Sequence, residues 1–166
     1  MSSVISVVQN YGFASASYFG EVAKNISNFL SIDDGLAAKE DYPIQNPISG
    51  TEYSYETWIR LRCDYPPNTQ CTNILAWYDA GLPVGANITV NSNIVSTYTQ
   101  PIDTVSSTGT RVNFNSYNSE LSSISLDGIL INIGDVSSWL VFQLETTNTQ
   151  ELGDHEVTYI IQFDES

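Results

Sequence analysis

Hydrophobic and polar residues alternate along much of the chain after Gly50, and this alternation predicts β-strands. The clearest case is the segment 53–63. One face carries Tyr53, Tyr55, Thr57, Ile59, Leu61 and Cys63, and the other carries Ser54, Glu56, Trp58, Arg60 and Arg62. A period of two in β-branched and aromatic residues is typical of a strand with one buried face. A second strand, over 72–78, follows a turn that contains Pro66 and Pro67, so the two segments predict an antiparallel pair at the centre of a β-sandwich.

Further strands are predicted in the second half of the chain, over 87–90, 94–98, 121–126, 128–133, 138–146 and 156–163. Asp127-Gly128 separates two of them and is a strong hairpin signal. Strands of this length, with turn residues between them, favour a sandwich over βαβ units. We therefore predict a mainly β fold over 51–166, an antiparallel immunoglobulin-like or jelly-roll sandwich.

The first fifty residues follow a different pattern. Val4–Val8 predicts a short strand, and an i, i+3, i+4, i+7 rhythm after it predicts one short amphipathic helix, through Phe19, Val22, Ala23, Ile26, Phe29 and Leu30. The segment 42–50 contains two prolines and predicts an extended connector. Residues 1–50 are thus predicted to be a partly helical N-terminal arm that contacts other chains, with a candidate interface of Phe13, Phe19, Val22, Ile26, Phe29 and Leu30.

Composition and charge exclude several classes of function. The chain has 166 residues and a net charge of −14, and only 14% of its residues are charged. A field of this sign repels phosphate backbones, so nucleic-acid binding is not expected. The sequence contains neither a signal-peptide pattern nor an apolar run that could span a membrane, which predicts assembly in a cytoplasm.

Candidate catalytic and metal-binding residues are few. His155 is the one histidine, and there is no Gly-x-Ser-x-Gly motif. The acids at 33–34 and 40–41 lack the spacing of a calcium loop. Cys63 and Cys71 are close enough for a disulfide if their strands form a hairpin, whereas a cytoplasmic origin favours free thiols. No metal, cofactor or catalytic residue is predicted.

The sequence leaves three alternatives open. Trp58, Trp77 and Trp139 could form a sugar-stacking platform, although aromatic residues in strands more often fill the core. Acids brought together in space could serve a small hydrolase. Arg60 and Arg62 are two of only five basic residues and are predicted either to pair with local acids or to meet an acidic neighbour at an interface.

The run 49–60, Thr72-Asn73-Ile74 with Trp77, and the closing strands 140–145 and 158–165 form a succession of strand residues over roughly 49–165. In this succession the chain resembles small virion proteins of tailed bacteriophages. The resemblance implies a non-enzymatic capsid accessory or decoration protein on the outside of a virion. Its partners would be the major capsid protein or other virion proteins, and it would form a homo-oligomer. A carbohydrate-binding β-sandwich module is the alternative.

Overall fold

The computed structural model describes residues 3–12, 20–23, 28–34, 37, 40–150 and 155–166. Ten strands lie in these ranges: β1 (Val4–Tyr11), β2 (Gly20–Ala23), β3 (Thr51–Tyr53), β4 (Thr57–Tyr65), β5 (Cys71–Ala80), β6 (Ala86–Asn91), β7 (Arg111–Asn113), β8 (Ile124–Leu126), β9 (Leu140–Thr147) and β10 (Thr158–Glu165). Among the described residues, the one helical segment is a 3₁₀ turn, Phe114–Ser116. None of them forms a helix with the length and hydropathy needed to cross a membrane. The predicted mainly β class is confirmed.

The strands form two antiparallel sheets that pack face to face. The larger sheet has the order β2-β1-β4-β9-β6-β7, and β3 also pairs with β9. The smaller sheet has the order β10-β5-β8. The core between them is formed by inward residues of both sheets, including Ile59, Leu61, Ile88, Val90, Leu140 and Phe142 from the larger sheet and Ile74, Ala76, Ile124 and Leu126 from the smaller. The structure is therefore a β-sandwich, as the alternation predicts.

The predicted pairing of the two central segments is wrong. β4 pairs with β1 and β9, whereas β5 pairs with β10 and β8 in the other sheet. The chain thus crosses from one sheet to the other through the turn that contains Pro66 and Pro67. Local alternation cannot distinguish this crossing from a hairpin, because both place the apolar residues of each strand toward the core.

A bulge in β5 allows residues of different parity to face the core. The register against β10 shifts between Gln162↔Leu75 and Asp164↔Thr72, so β5 carries an extra residue at this point. Asn73 lies there with a φ of 51°, a left-handed conformation that Asn tolerates better than most residues. Cys71 and Ile74 consequently both belong to the core.

The predicted hairpin at Asp127-Gly128 is also wrong. β8 pairs with Ala76, Leu75 and Ile74 of β5, and the chain then continues past Gly128 in the same direction, so that Leu130 forms an isolated bridge with Cys71. Gly128 has a φ of 138°. The chain does not reverse there, and Gly128 packs so closely on Ser137 that a Cβ would lie 2.9 Å from its Cα. Neighbouring strands, not the dipeptide, decide this local conformation.

The predicted N-terminal arm is not separate from the sandwich in its described parts. β1 lies between β2 and β4 of the larger sheet, and Val8 is fully buried. Gly20–Ala23, part of the predicted helix, is strand β2, paired with β1 from Val8 to Tyr11. Pairing to an available sheet edge outweighs a weak helical rhythm, since intrinsic propensities amount to less than about 1 kcal/mol per residue.

Candidate functional site

The charged groups of the larger sheet converge on its outer face. In the register of β1 and β4, Val8 lies opposite Arg60 and Ser6 lies opposite Arg62. Glu21 lies on β2, which pairs with the other side of β1. Arg60 donates to Glu21 at 2.8 Å, and Arg62 donates to Glu21 at 2.6 Å and to Asp64 at 2.7 Å. Ser6 donates a further hydrogen bond to Asp64. The arginines therefore pair with acids of their own chain, one of the two predicted alternatives.

The arginine network shifts the pKa values of its acids. Burial raises the pKa of Glu21, but the hydrogen bonds and charges of Arg60 and Arg62 outweigh that effect, and the net pKa lies below its ordinary value. For Asp64, the hydrogen bond from Arg62 is the main cause of a lowered pKa. Both carboxylates are therefore more stable ionised in the folded chain than in the unfolded chain.

Replacing Glu21 with Gln should lower the free energy of unfolding near neutral pH by about 1 kcal/mol, a typical value for a partly exposed ion pair. Because the folded pKa of Glu21 is depressed, its contribution is present above the ordinary value of 4.5 and is lost as the pH falls through the folded value. The difference between Glu21→Gln and the unaltered chain should therefore shrink in acid, as measured by urea denaturation at several pH values. Glu52→Gln, an exposed change of the same charge, is the control; an equal loss there would refute this role.

An aromatic cluster covers the part of the outer face next to the arginines. Trp58 and Trp139 are buried, their ring centroids are 5.8 Å apart, and Tyr98 packs within 6 Å of both. The Arg60 guanidinium lies over the Trp139 ring at 4.2 Å, a cation–π contact. Tyr98 belongs to the segment 94–98, which was predicted to be a strand but has no strand structure and lies over the sheet as a covering layer.

Glu56 is buried beside this cluster, on the face that the alternation assigned to solvent. It is only 4% exposed, and its carboxylate accepts hydrogen bonds from the Trp58 ring nitrogen at 3.1 Å and from Ser106. Ser106 also receives support from Gln143, which accepts from its backbone N–H at 2.9 Å. A buried carboxylate requires such donors, so Glu56 holds the segment around Ser106 onto the larger sheet.

Asp33 is a half-buried acid near the end of β1. Both of its oxygens accept from the backbone N–H of Gly12, at 2.9 and 3.0 Å, and the Tyr98 hydroxyl donates to the carbonyl of the same residue at 2.7 Å. Burial raises the pKa of Asp33, and the negative charges of Asp34 and Glu56 add to the effect. A carboxyl group with a raised pKa is a feature of hydrolytic sites as well as of structural networks.

The described members of the predicted interface do not form one surface. Leu30 is buried, and Phe29 packs against the main core, so both help to close the chain's own sandwich. Val22 lies on β2 opposite Gln9. Phe13, Phe19 and Ile26 lie outside the described residues. The arginines of the same prediction, Arg60 and Arg62, occupy the ion-pair network on the outer face.

A small cavity lies between the two sheets. It is lined mainly by apolar side chains, including Phe29, Ile59, Phe114, Phe142 and Tyr159, and has a volume of about 40 Å³. Pockets that hold small organic ligands measure roughly 300–1,000 Å³. This cavity is therefore a packing defect of the core with room for little more than water.

Cys63 and Cys71 are both buried free thiols. Burial raises the pKa of each, and the thiolate is the reactive form. We expect neither thiol to react with an aromatic disulfide reagent in the native protein at neutral pH, and both to react once urea unfolds it. Rapid labelling of one thiol in the native protein would contradict this burial.

The structure also places two exposed features that the pattern did not predict as surfaces. Ile129, Ile131 and Ile133 are all exposed on the irregular segment that follows β8. Ile160 is exposed on β10, the long outermost strand of the smaller sheet. The sequences of both segments alternate as in strands. Alternation alone does not reveal which strand of a sheet lies at its edge.

The sugar-stacking alternative requires exposed aromatic rings on one face. Trp58 and Trp139 are buried under the covering layer and do not meet this requirement. Trp77 is half-buried and shares the outer face of the smaller sheet with Ile160, its partner in the register. Among the described residues, no group of three or more acids, cysteines or histidines is placed to hold a metal ion.

Comparison with known proteins yields no match to this chain among protein-family models, curated proteins or solved structures.

Proposed function

We propose that this chain is a non-enzymatic structural protein of a virus particle, bound to the outside of the capsid as an accessory or decoration protein. The main supporting observation is that its buried and partly buried charged side chains contact other parts of the same chain. Glu56 holds the segment at Ser106 on the larger sheet, and Arg60 and Arg62 bind Glu21 of β2, so all three side chains are used in contacts within the chain. They stabilise a scaffold, and the function then resides in the surfaces that the scaffold presents.

The charge of the described surface also supports the proposal. All three arginines lie within the described residues, and Arg111 donates to the backbone carbonyls of Val141 and Thr89, at 2.6 and 2.8 Å. With the arginines engaged internally, the described surface is dominated by acids and by neutral polar groups. Such a surface keeps free copies apart and soluble before assembly. It also favours binding to a more basic partner surface.

The proposal is tested on particles purified from a culture of the source by density-gradient centrifugation. We expect the chain to band with intact particles in mass spectrometry, and antibodies against it to label their outer surface in electron microscopy. Recovery of the chain only from the soluble fraction, with none on particles collected at lysis, would refute the proposal.

A small hydrolase is a further candidate function, because burial and the charges of Asp34 and Glu56 raise the pKa of Asp33. Against it stand the contacts of both acids, since Glu56 accepts from Trp58 and Ser106 and Asp33 accepts from Gly12. Turnover of chromogenic glycosides or esters by the purified chain, abolished in Glu56→Gln at unchanged melting temperature, would favour this candidate over the structural role.

A further inference from the structure

The outermost strand of the smaller sheet, β10, has one open side. Seven of its eight residues pair with β5, and no other described strand pairs with it. The opposite edge of the same sheet is shorter, because β8 has three residues, and it is continued by the bridge between Leu130 and Cys71. A long unpaired edge presents a row of backbone donors and acceptors on which another strand can add.

The hydrogen-bonding pattern identifies the groups on the open side. Tyr78 donates its N–H to the carbonyl of Tyr117, away from β10. Successive residues of a strand direct their backbone N–H and C=O groups to opposite sides. The backbone groups of Trp77 therefore point toward β10, and those of its partner Ile160 point back toward β5. Ser166 likewise exchanges hydrogen bonds with Gln70 on the β5 side. Even-numbered residues of β10 are therefore paired to β5. The backbone groups on the open side belong to Tyr159, Ile161, Phe163 and Glu165.

The side chains of this strand suit an added strand. Tyr159, Ile161 and Phe163 pack against the core and hold the strand in place. Ile160 is 38% exposed on the outer face, next to the half-buried Trp77. The strand contains neither Pro nor Lys, the residues that commonly block pairing at sheet edges. A strand laid beside β10 would gain backbone hydrogen bonds and would extend the apolar stripe formed by Ile160 and Trp77.

Charge indicates what kind of strand fits. Exposed acids stand at both ends of β10, Glu156 before it and Asp164 and Glu165 at its close. The three arginines are engaged elsewhere within the chain, and the net charge is −14. A second copy of this chain would place further acids against these, which costs free energy. A strand flanked by lysines or arginines would complement them.

We propose that the open edge of β10 binds an extended segment of a different, basic protein by strand addition. The segment contributes backbone hydrogen bonds to Tyr159, Ile161 and Phe163, and its flanking cations meet the acids at the two ends of the strand. This inference adds a binding surface to the proposed function. It rests on that function only for the identity of the protein that supplies the strand.

Synthetic peptides test the edge without any particle. The probe is a peptide of about ten residues, enough to span β10, with alternating Val and Thr at its centre and two lysines at each end. One control peptide has Glu in place of Lys, and another has Pro at its two central positions. We expect the lysine peptide to bind, by isothermal titration calorimetry at low ionic strength, at least about ten-fold more tightly than either control.

Two matched variants locate the binding. Ile160→Lys adds a cation beside the docked strand and should weaken binding of the lysine peptide by about ten-fold or more. Val105→Lys makes the same change of charge at an exposed site between β6 and β7 and should leave binding nearly unchanged. Equal melting temperatures for the two variants exclude unfolding as the cause.

Two results would overturn the proposal. Equal binding of the lysine and proline peptides would show charge attraction without strand addition. Self-association of the chain in analytical ultracentrifugation that is lost in Ile160→Lys would show that a second copy occupies the edge. Because no particle enters these assays, their failure would leave the particle-banding experiment unaffected, and particle binding without peptide binding would place the contact on another surface.

Discussion

Replacing Trp58 with Ala should lower the free energy of unfolding by about 3–5 kcal/mol, the range for a large aromatic residue removed from a core. Trp58 is fully buried, packs on Trp139 and Tyr98, and donates its ring N–H to Glu56. The change therefore leaves a cavity and also removes a donor from a buried carboxylate, which adds to the cost. Urea denaturation followed by circular dichroism measures the loss.

Trp77→Ala is the matched control for this prediction. Trp77 is half-buried on the outer face of the smaller sheet, so the same truncation should cost roughly 1–2 kcal/mol. If the two variants lowered the free energy of unfolding equally, the covering layer around Ser106 and Tyr98 would not be a packed part of the fold.

Removing residues 1–12 should unfold the sandwich at room temperature. The deletion takes away β1, which joins β2 to β4, and with it Val8 and the core contacts of Ile5 and Val7. At about 1.5–3 kcal/mol for each large apolar side chain, the loss approaches the roughly 5–15 kcal/mol by which a domain of ordinary stability is folded. Dispersion of the amide signals in a two-dimensional NMR spectrum reports the outcome.

A shorter deletion, of residues 1 and 2 alone, removes no described strand residue and should leave the spectrum and the melting temperature unchanged. A well-dispersed spectrum for the longer deletion, with a melting temperature within a few degrees of the intact chain, would instead support the prediction that the N-terminal segment is an arm that contacts other chains.

Strand positions could be predicted from the sequence wherever one face of the strand is buried and the other is polar. β9 and β10 lie within about two residues of the predicted segments, because both alternate over a full strand length. The assignment of strands to sheets could not be predicted in the same way. β4 and β5 each place apolar residues inward, and that pattern is the same whether the two strands share a sheet or face each other across the core.

The site was harder to predict because it depends on a layer that alternation does not describe. Glu56 and Trp58 fall on the polar face of the predicted strand 53–63, yet the irregular chain near Tyr98 and Ser106 covers that face. The pairing of Arg62 with Asp64 could be predicted because the two residues are neighbours on one strand. The contact of both arginines with Glu21 could not, since it depends on β2 pairing beyond β1.

In its proposed role, this chain is a structural protein that joins a particle through the open edge of β10. Hydrogen exchange at single amides tests it most directly, by comparing the free chain with the chain bound to particles from its source. In the free chain, the amides of Tyr159, Ile161 and Phe163 should exchange fast, while those of Ile160 and Gln162, paired to β5, exchange slowly. Binding should slow the first three. Fast exchange of all three in the particle-bound chain would contradict the account.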